Sequence, residues 1–338
     1  MHIYKNMSLK RYNTFGVDYM ADTIIHVRTE KEVRALLKRE ISWKKPLMIL
    51  GGGSNILFTY DYRGTIIIPE LKRMIIEEIE GEHIIVSAGA GIEWDRFVDW
   101  TVTMGFCGLE NLSGIPGSVG AVPVHNIGAY GIEAKDYVIK VRTIDIDSGK
   151  AIIFVNEECY FGYRTSIFKT TFKGRFLITR VYFRLDLNFN PNLEYGTLRQ
   201  EVEKEGKPTL KKVRDAVLRI RQSKLPDHKV IGNAGSFFKN PLVEEKTAGR
   251  LLKEHPGMPV YNDPSGMKKL AAGWLIEQCG WKGKRTGDAG VHEKQALVLV
   301  NYGNATGKEI YDLSERIRKS VKRKFGVALE REVELVGA

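Results

Sequence analysis

Between Glu110 and Glu133 the chain runs for 22 residues without an Asp, Glu, Lys or Arg, although 28% of the whole sequence is charged. At that frequency roughly six charges are expected in such a window. The stretch holds Gly114, Gly117, Gly120, Gly128 and Gly131 with Pro116 and Pro123, so it reads as irregular backbone. Irregular backbone this apolar calls for a cover, supplied either by a ligand or by its own domain. The glycines favour a ligand, because backbone N–H and C=O groups can approach it with no Cβ in the way.

A chain of 338 residues exceeds the size at which one hydrophobic core keeps growing, so two or three domains are expected. Its 52 Lys and Arg against 41 Asp and Glu leave a formal charge of +11, which suits an anionic partner: nucleic acid, an acidic membrane surface or a phosphorylated small molecule. The basic residues concentrate in Lys211–Lys229 and Arg316–Lys324, spaced by apolar residues as on solvated helix faces, without the aromatic interleaving of a base-stacking surface. Cys107, Cys159 and Cys279 are widely separated, which argues against a disulfide framework and a zinc site and fits a reducing compartment. The amino-terminal residues lack a signal peptide's apolar run, and no window is apolar enough to span a bilayer, so a cytoplasmic protein is expected.

Periodicity organises the chain as α+β. Thr23–Val27 reads as a strand, Thr29 as the cap of an amphipathic helix Glu30–Glu40, and Pro46–Leu50 as a strand running into Gly51-Gly52-Gly53-Ser54-Asn55, with Thr65–Ile68 closing the unit. In dinucleotide and P-loop fingerprints the glycines open a helix. Here Ile56-Leu57-Phe58 and a turn at Asp61–Gly64 follow, so both fingerprints fail, although a triple glycine after a strand still makes an N–H nest for phosphate. From Met74 the pattern is mostly β, with strands at Ile84–Ser87, Val138–Asp145, Ala151–Val155 and Phe176–Leu187 and a helix at Glu93–Met104. An amphipathic helix Lys211–Lys224 precedes a boundary at Leu225-Pro226-Asp227. Beyond it come helices at Thr247–Glu254, Ala271–Gln278 and Lys308–Lys324 and a strand at Ala296–Asn301.

Hydrolase and metalloprotease signatures are absent, and the seven histidines are scattered. Three segments carry chemistry instead. Arg164, within Phe161–Lys169, stands among aromatic and β-branched residues where a guanidinium can grip a carboxylate, or the enolate derived from one; the competing reading is a strand-edge arginine in a surface ion pair. Ser236 lies between a glycine turn and Phe237-Phe238, placed to deliver a proton in a partly dry pocket if Lys224 or Lys239 steadies its oxyanion, or else is a plain turn serine. In a strand, Glu330, Glu332 and Glu334 share one face, and periodicity does not select among them.

In chain order these segments resemble the UDP-N-acetylenolpyruvoylglucosamine reductase family of bacterial peptidoglycan precursor synthesis. The resemblance rests on Asn13-Thr14-Phe15-Gly16, Gly51–Asn55, Gly89-Ala90-Gly91, Gly108-Leu109-Glu110-Asn111-Leu112, Gly114-Ile115-Pro116-Gly117, Asn126–Gly131, Tyr163-Arg164-Thr165-Ser166, Lys224-Leu225-Pro226, the Ser236 loop and Leu329–Val333. It implies a vanillyl-alcohol-oxidase/PCMH-type FAD-binding fold, with the FAD-binding region in residues 1–70 and 71–224, a substrate-binding domain in 225–319, and a segment 320–338 returning to the flavin region. It implies Arg164, Ser236 and Glu332 as the catalytic set. Gly51, Gly52, Gly53, Ser54, Asn55, Gly117, Ser118, Gly120, Asn126, Gly128, Ala129 and Tyr130 become cofactor contacts, and Tyr195, Lys224 and Asn240 substrate contacts, Tyr195 on the mobile loop of the type I branch. FAD is implied to be non-covalent, since the Gly51 loop offers no His or Cys for attachment. The implied partners are NADPH and UDP-N-acetylglucosamine enolpyruvate, taken in turn by one pocket, with no nucleic acid, membrane or metal. The run Ala121–His125 varies in the family, which weakens any role for His125. An FAD oxidase of the same fold and a basic nucleic-acid-binding protein are the competing classes.

Overall fold

The computed structural model describes residues 1–38, 46–263 and 265–337 and divides the chain into two units. The first comprises Met1–Met7, Ala21–Gly53 and Arg63–Ser223. The second comprises Ser8–Met20, Ser54–Tyr62 and Lys224–Ala338. Two short pieces of the amino-terminal region thus cluster with the carboxy-terminal part of the chain.

The first unit contains two sheets. One has the strand order His2–Ser8, Met20–Val27, Tyr62–Pro69, Leu47–Ile49, the last two running parallel. The other is antiparallel, in the order Ala151–Val155, Val138–Asp145, Phe176–Asp186, His83–Gly89, Met74–Glu80. The helix Glu30–Lys38 begins where expected: the Thr29 hydroxyl accepts the Glu32 N–H at 3.1 Å, supplying an acceptor to one of the donors a helix start leaves open. Arg39 and Glu40, which the sequence pattern adds to this helix, lie outside the described residues. Val33 and Leu36 pack with Ile25, Val27 and Ile67 of the first sheet and with Ile144 and Leu177 of the second. Glu30 then locks the helix to the second sheet through two bonds from Arg142, at 2.6 and 2.9 Å, which hold its carboxyl below the usual range.

The larger core of this unit gathers the inner face of the antiparallel sheet, Trp94, Phe97 and Val98 of the helix Trp94–Thr103, and four residues of the charge-free stretch: Leu112, Val119, Val122 and Ile132. Alternation along Phe176–Asp186 places Val181, Phe183 and Leu185 inside, as their spacing predicts. A small third cluster joins the helices Leu198–Glu203 and Leu210–Lys224, with Tyr130 packed against it.

In the second unit an antiparallel sheet has the order Gly232–Ser236, Val298–Asn301, Ala289–Val291, Arg285–Thr286, accompanied by a three-stranded sheet and the helices Glu245–Glu254, Ala272–Gln278 and Gly307–Phe325. The last helix has a reciprocal capping box, Thr306 with Glu309, and ends on Gly326 at φ 71°, where the left-handed geometry favours glycine. Among the described residues no helix is long and apolar enough to cross a membrane. The tail is less regular than its alternating glutamates suggest. Only Glu334–Val336 is a strand, pairing parallel with Ile56–Phe58, and the three glutamates differ in setting: Glu330 is exposed, Glu332 and Glu334 half-buried.

Candidate active site

Three glycine loops of the first unit lie against one another. A Cβ on Gly52 would stand 2.8 Å from Gly117 Cα, one on Gly51 would stand 2.5 Å from Ser118 Oγ, and one on Gly120 would meet Ala90 Cβ at 2.7 Å. These glycines are therefore needed for loop-to-loop packing, a reason different from the direct ligand approach that the sequence suggests. The bonds between loops follow the same contacts: Gly120 N–H to Ala90 O at 3.0 Å, Val119 N–H to Ile92 O at 2.9 Å and Trp94 N–H to Gly117 O at 3.0 Å. Gly53 takes φ 63°, turning the chain out of the strand Leu47–Ile49.

The charge-free stretch is anchored on both sides of Gly114. Its N–H donates to Asp95 Oδ1 at 2.6 Å and its carbonyl accepts from Arg221 Nε at 3.1 Å. Asp95 in turn receives two bonds from Arg214, at 2.7 and 2.9 Å, and the Arg214 side chain is only 8% exposed. Burial pushes the Asp95 carboxyl up, but the bonds from Arg214 and Gly114 outweigh it and leave it below the usual range. Such a carboxylate contributes stability that is present above about pH 4, the ordinary Asp value, and is lost as pH falls through the folded-state value. Asp95→Ala strips Arg214 of its bidentate partner while exposed Asp99 remains beside it. We expect a loss of about 3 kcal/mol, the lower end for breaking a buried pair, read as a lower melting temperature at pH 7 that approaches the parent's in acid.

Within the motif Gly108–Leu112, the Glu110 carboxylate is buried against the Gly108 N–H at 2.6 Å, and Leu112 O accepts from Trp94 Nε1 at 2.8 Å, so these residues brace the loop from below. The other half of the stretch turns on Asn126. At φ 43° it ends the short helix Val122–His125; its amide donates to Glu133 Oε2 and Gly162 O, both at 3.0 Å, and its carbonyl oxygen accepts from the Lys135 N–H. That bond to Gly162 carries the chain to Arg164. Gly162 and Thr165 exchange backbone bonds at 3.0 and 3.2 Å across a tight turn, and Arg164, at its third position, takes φ 57° where glycine is ordinarily favoured. The guanidinium donates from Nη2 to Gly128 O at 2.6 Å and lies over the Tyr163 ring, while Lys169 Nζ donates to the Arg164 carbonyl at 3.1 Å. Asn126, Tyr130, Tyr160 and Arg164 all adopt left-handed backbone within this region, a concentration of strain typical of functional sites. His125 beside them is pushed down to about 3, by burial first and then by Lys169 and Arg164, all of which disfavour the imidazolium form. Tyr195 stacks edge-on against Tyr130 at 5.8 Å, bringing one residue of the expected substrate set against one of the cofactor set.

Arg164 belongs to the first unit, Ser236 and Glu332 to the second. Ser236 sits on a β-bulge. Asn233 faces Val300 and Ser236 faces Val298, so three steps on one strand match two on the other, with Gly235 at φ 68° absorbing the extra residue. Asn233 Oδ1 fixes the bulge by accepting the Gly235 N–H at 2.9 Å, and the Asn233 N–H bonds to Thr14 O at 2.9 Å. The Asn13–Gly16 motif is therefore a brace. Phe15 O also accepts from Asn301 Nδ2, and it lies so close to Gly232 that a Cβ there would sit 2.2 Å away.

Next to the bulge, the Phe237 carbonyl accepts the Glu332 N–H at 2.9 Å, and Lys239 N–H donates to Glu330 O at 2.9 Å. Lys239, one of two lysines the sequence offers as partners for Ser236, instead pairs through Nζ with Glu330 Oε1 at 2.5 Å. Lys224, the other, is exposed at the end of the helix Leu210–Lys224. Asn240 Oδ1 accepts the Ala272 N–H at 3.0 Å, at the start of the helix Ala272–Gln278. Asn55, of the expected cofactor set, reaches the tail: its Nδ2 donates to Glu332 O at 3.1 Å.

Residues 226–336 match the family model described as UDP-N-acetylenolpyruvoylglucosamine reductase, C-terminal domain, and residues 21–154 match the model described as FAD binding domain. The curated UDP-N-acetylenolpyruvoylglucosamine reductase of Flavobacterium johnsoniae is 47% identical over 99% of this chain and 100% of its own length. That of Chromobacterium violaceum is 47% identical over 97% of both. This chain belongs to the UDP-N-acetylenolpyruvoylglucosamine reductase family. A solved reductase of that name from Thermus caldophilus aligns over 99% of both chains with a TM-score of 0.69 at 27% identity.

Membership makes the chain an FAD-dependent oxidoreductase with a vanillyl-alcohol-oxidase-type FAD-binding fold, and its residues fit the cofactor. Ile115, Val124, Ile127, Ala129 and Tyr130 of the charge-free stretch remain only half-buried, an apolar border without charge beside abutting backbone loops. An isoalloxazine ring suits such a border, and loop N–H groups suit a pyrophosphate.

Proposed function

We propose that this reductase converts UDP-N-acetylglucosamine enolpyruvate to UDP-N-acetylmuramate with NADPH, in the cytoplasm, as a step of peptidoglycan precursor synthesis. FAD, when bound, would supply the redox chemistry, a hydride transfer from NADPH to the methylene carbon of the enol ether. The chain's residues manage the charge and the proton. Negative charge builds on the substrate carboxylate as the enolate forms, and the Arg164 guanidinium with the Glu332 carboxyl stabilises it. Ser236 gives its hydroxyl proton to the α-carbon, completing a D-lactyl ether. Lys224 faces the pyrophosphate of the nucleotide, Asn240 donates from its side-chain NH₂, and Tyr195 folds over the substrate.

The observation that supports this reading is the direct backbone bond between the residue after Ser236 and the tail, Glu332 N–H to Phe237 O, which joins two segments of the proposed set that are far apart in sequence. The anaerobic half-reactions test it. The yellow protein is bleached by NADPH, and addition of UDP-N-acetylglucosamine enolpyruvate is expected to restore oxidised-flavin absorbance at once without oxygen. Recovery only on admitting air would make the chain an oxidase and end the proposal.

A further inference from the structure

Glu332 is held by its backbone on both sides. Its N–H donates to Phe237 O at 2.9 Å, and its carbonyl accepts from Asn55 Nδ2 at 3.1 Å. Asn55 grips the tail again two residues on, where its own carbonyl accepts the Glu334 N–H at 3.0 Å. The flanking residues have other anchors. Arg318 Nε donates to Leu329 O at 2.9 Å, and Arg331 lies over the Tyr311 ring while donating to Ser314 Oγ at 3.1 Å and to Glu315. The pairing of Glu334–Val336 with Ile56–Phe58 fixes the end. Asn55 is thus the side chain that sets the peptide leaving Glu332, in a tail whose other fastenings do not depend on it.

We infer that Asn55 is a positioning residue for Glu332, orienting its carboxyl through the backbone; this rests on the reading in which Glu332 stabilises the enolate. An amide donor is required there, because a carbonyl oxygen deprived of its partner turns its peptide plane toward another donor. A displacement on the order of 1 Å at a charge-stabilising group costs up to about 10²-fold in rate. Only the half-reaction that uses the carboxyl feels such a change. Flavin reduction by NADPH does not.

The test measures FAD affinity and both anaerobic half-reactions for Asn55→Ala, Glu332→Gln and the double variant. Expected for Asn55→Ala, with FAD saturating so that any loss of flavin contact is compensated, is reoxidation by the enolpyruvyl nucleotide slowed about tenfold more than flavin reduction by NADPH. In the Glu332→Gln background the same substitution is expected to add little, since the carboxyl it positions is already gone. Loss of FAD affinity with both half-reactions normal at saturating FAD would overturn the inference in favour of a flavin contact. Full additivity with Glu332→Gln, or an equal slowing of both half-reactions, would also overturn it. A Glu332→Gln enzyme that reoxidises at the parent's rate would remove the role of Glu332 itself, whereas a slow Glu332→Gln beside a normal Asn55→Ala would remove only the positioning role.

Discussion

With Ser236 replaced by alanine, flavin reduction by NADPH is expected to proceed at the parent's rate while reoxidation by the enolpyruvyl nucleotide slows by about 10²- to 10⁴-fold, the usual contribution of a positioned proton donor. The substitution removes one oxygen and leaves its support alone. The bulge is made by Gly235 at φ 68° and by Asn233, and the neighbouring Phe237 and Phe238 stay buried, so melting temperature and nucleotide binding are expected to hold. Ser236→Cys keeps a transferable proton and is expected to recover part of the loss. Stopped-flow absorbance under nitrogen reads both half-reactions, and a Ser236→Ala enzyme whose reoxidation matched the parent's would make Ser236 the plain turn serine that its sequence context also allows.

Arg164→Gly is expected to separate stability from activity. The parent holds a non-glycine residue at φ 57°, at a cost on the order of 1 kcal/mol that glycine avoids. The variant gives up the bond from Nη2 to Gly128 O and the contact with Tyr163, so the two effects offset and the melting temperature is expected to change little. Turnover is expected to fall by about 10²- to 10³-fold, as when one charge-stabilising donor is removed from an acyl or enolate site. Arg164→Lys retains a charge without the planar fork and is expected to fall between the two. If Arg164→Gly kept the parent's turnover while lowering its melting point, the arginine would be a structural strand-edge residue.

Much of this was legible because local physics dominates. The helices Trp94–Thr103 and Gly307–Phe325 carry apolar residues at helical spacing, and the strand Phe176–Asp186 alternates, so their patterns match the observed elements to within a residue or two. The absence of a helix after Gly51–Gly53 was equally plain from Ile56-Leu57-Phe58, which pair as a strand. The strand His2–Ser8 was not legible: it lies at a sheet edge, largely exposed, and its order comes from pairing with Met20–Val27 rather than from burial.

The sites divide in the same way. Gly51, Ser236 and Arg164 are candidates by type and context, since backbone approach, proton delivery and carboxylate binding are each open to few residue types, and each also has a plain structural reading. What the glycines touch could not be read from them; the contacts of Gly52 with Gly117 and of Gly120 with Ala90 join loops far apart in sequence. Lys239 shows the limit again, a plausible helper for Ser236 by proximity in sequence that pairs with Glu330 in space.

The chain's amino-acid order determined its α+β class, its family and the chemical types at its candidate site, because periodicity, turn chemistry and side-chain reactivity are local properties. Tertiary structure alone decided that Asn55 bonds to Glu332 across 277 positions, that Asn13–Gly16 braces the bulge of Ser236, and that Asp95 and Arg221 hold Gly114. Those contacts depend on which backbone groups the packing of distant segments brings within 3 Å or so, and hydrogen bonds of that reach carry no periodic signal along the chain.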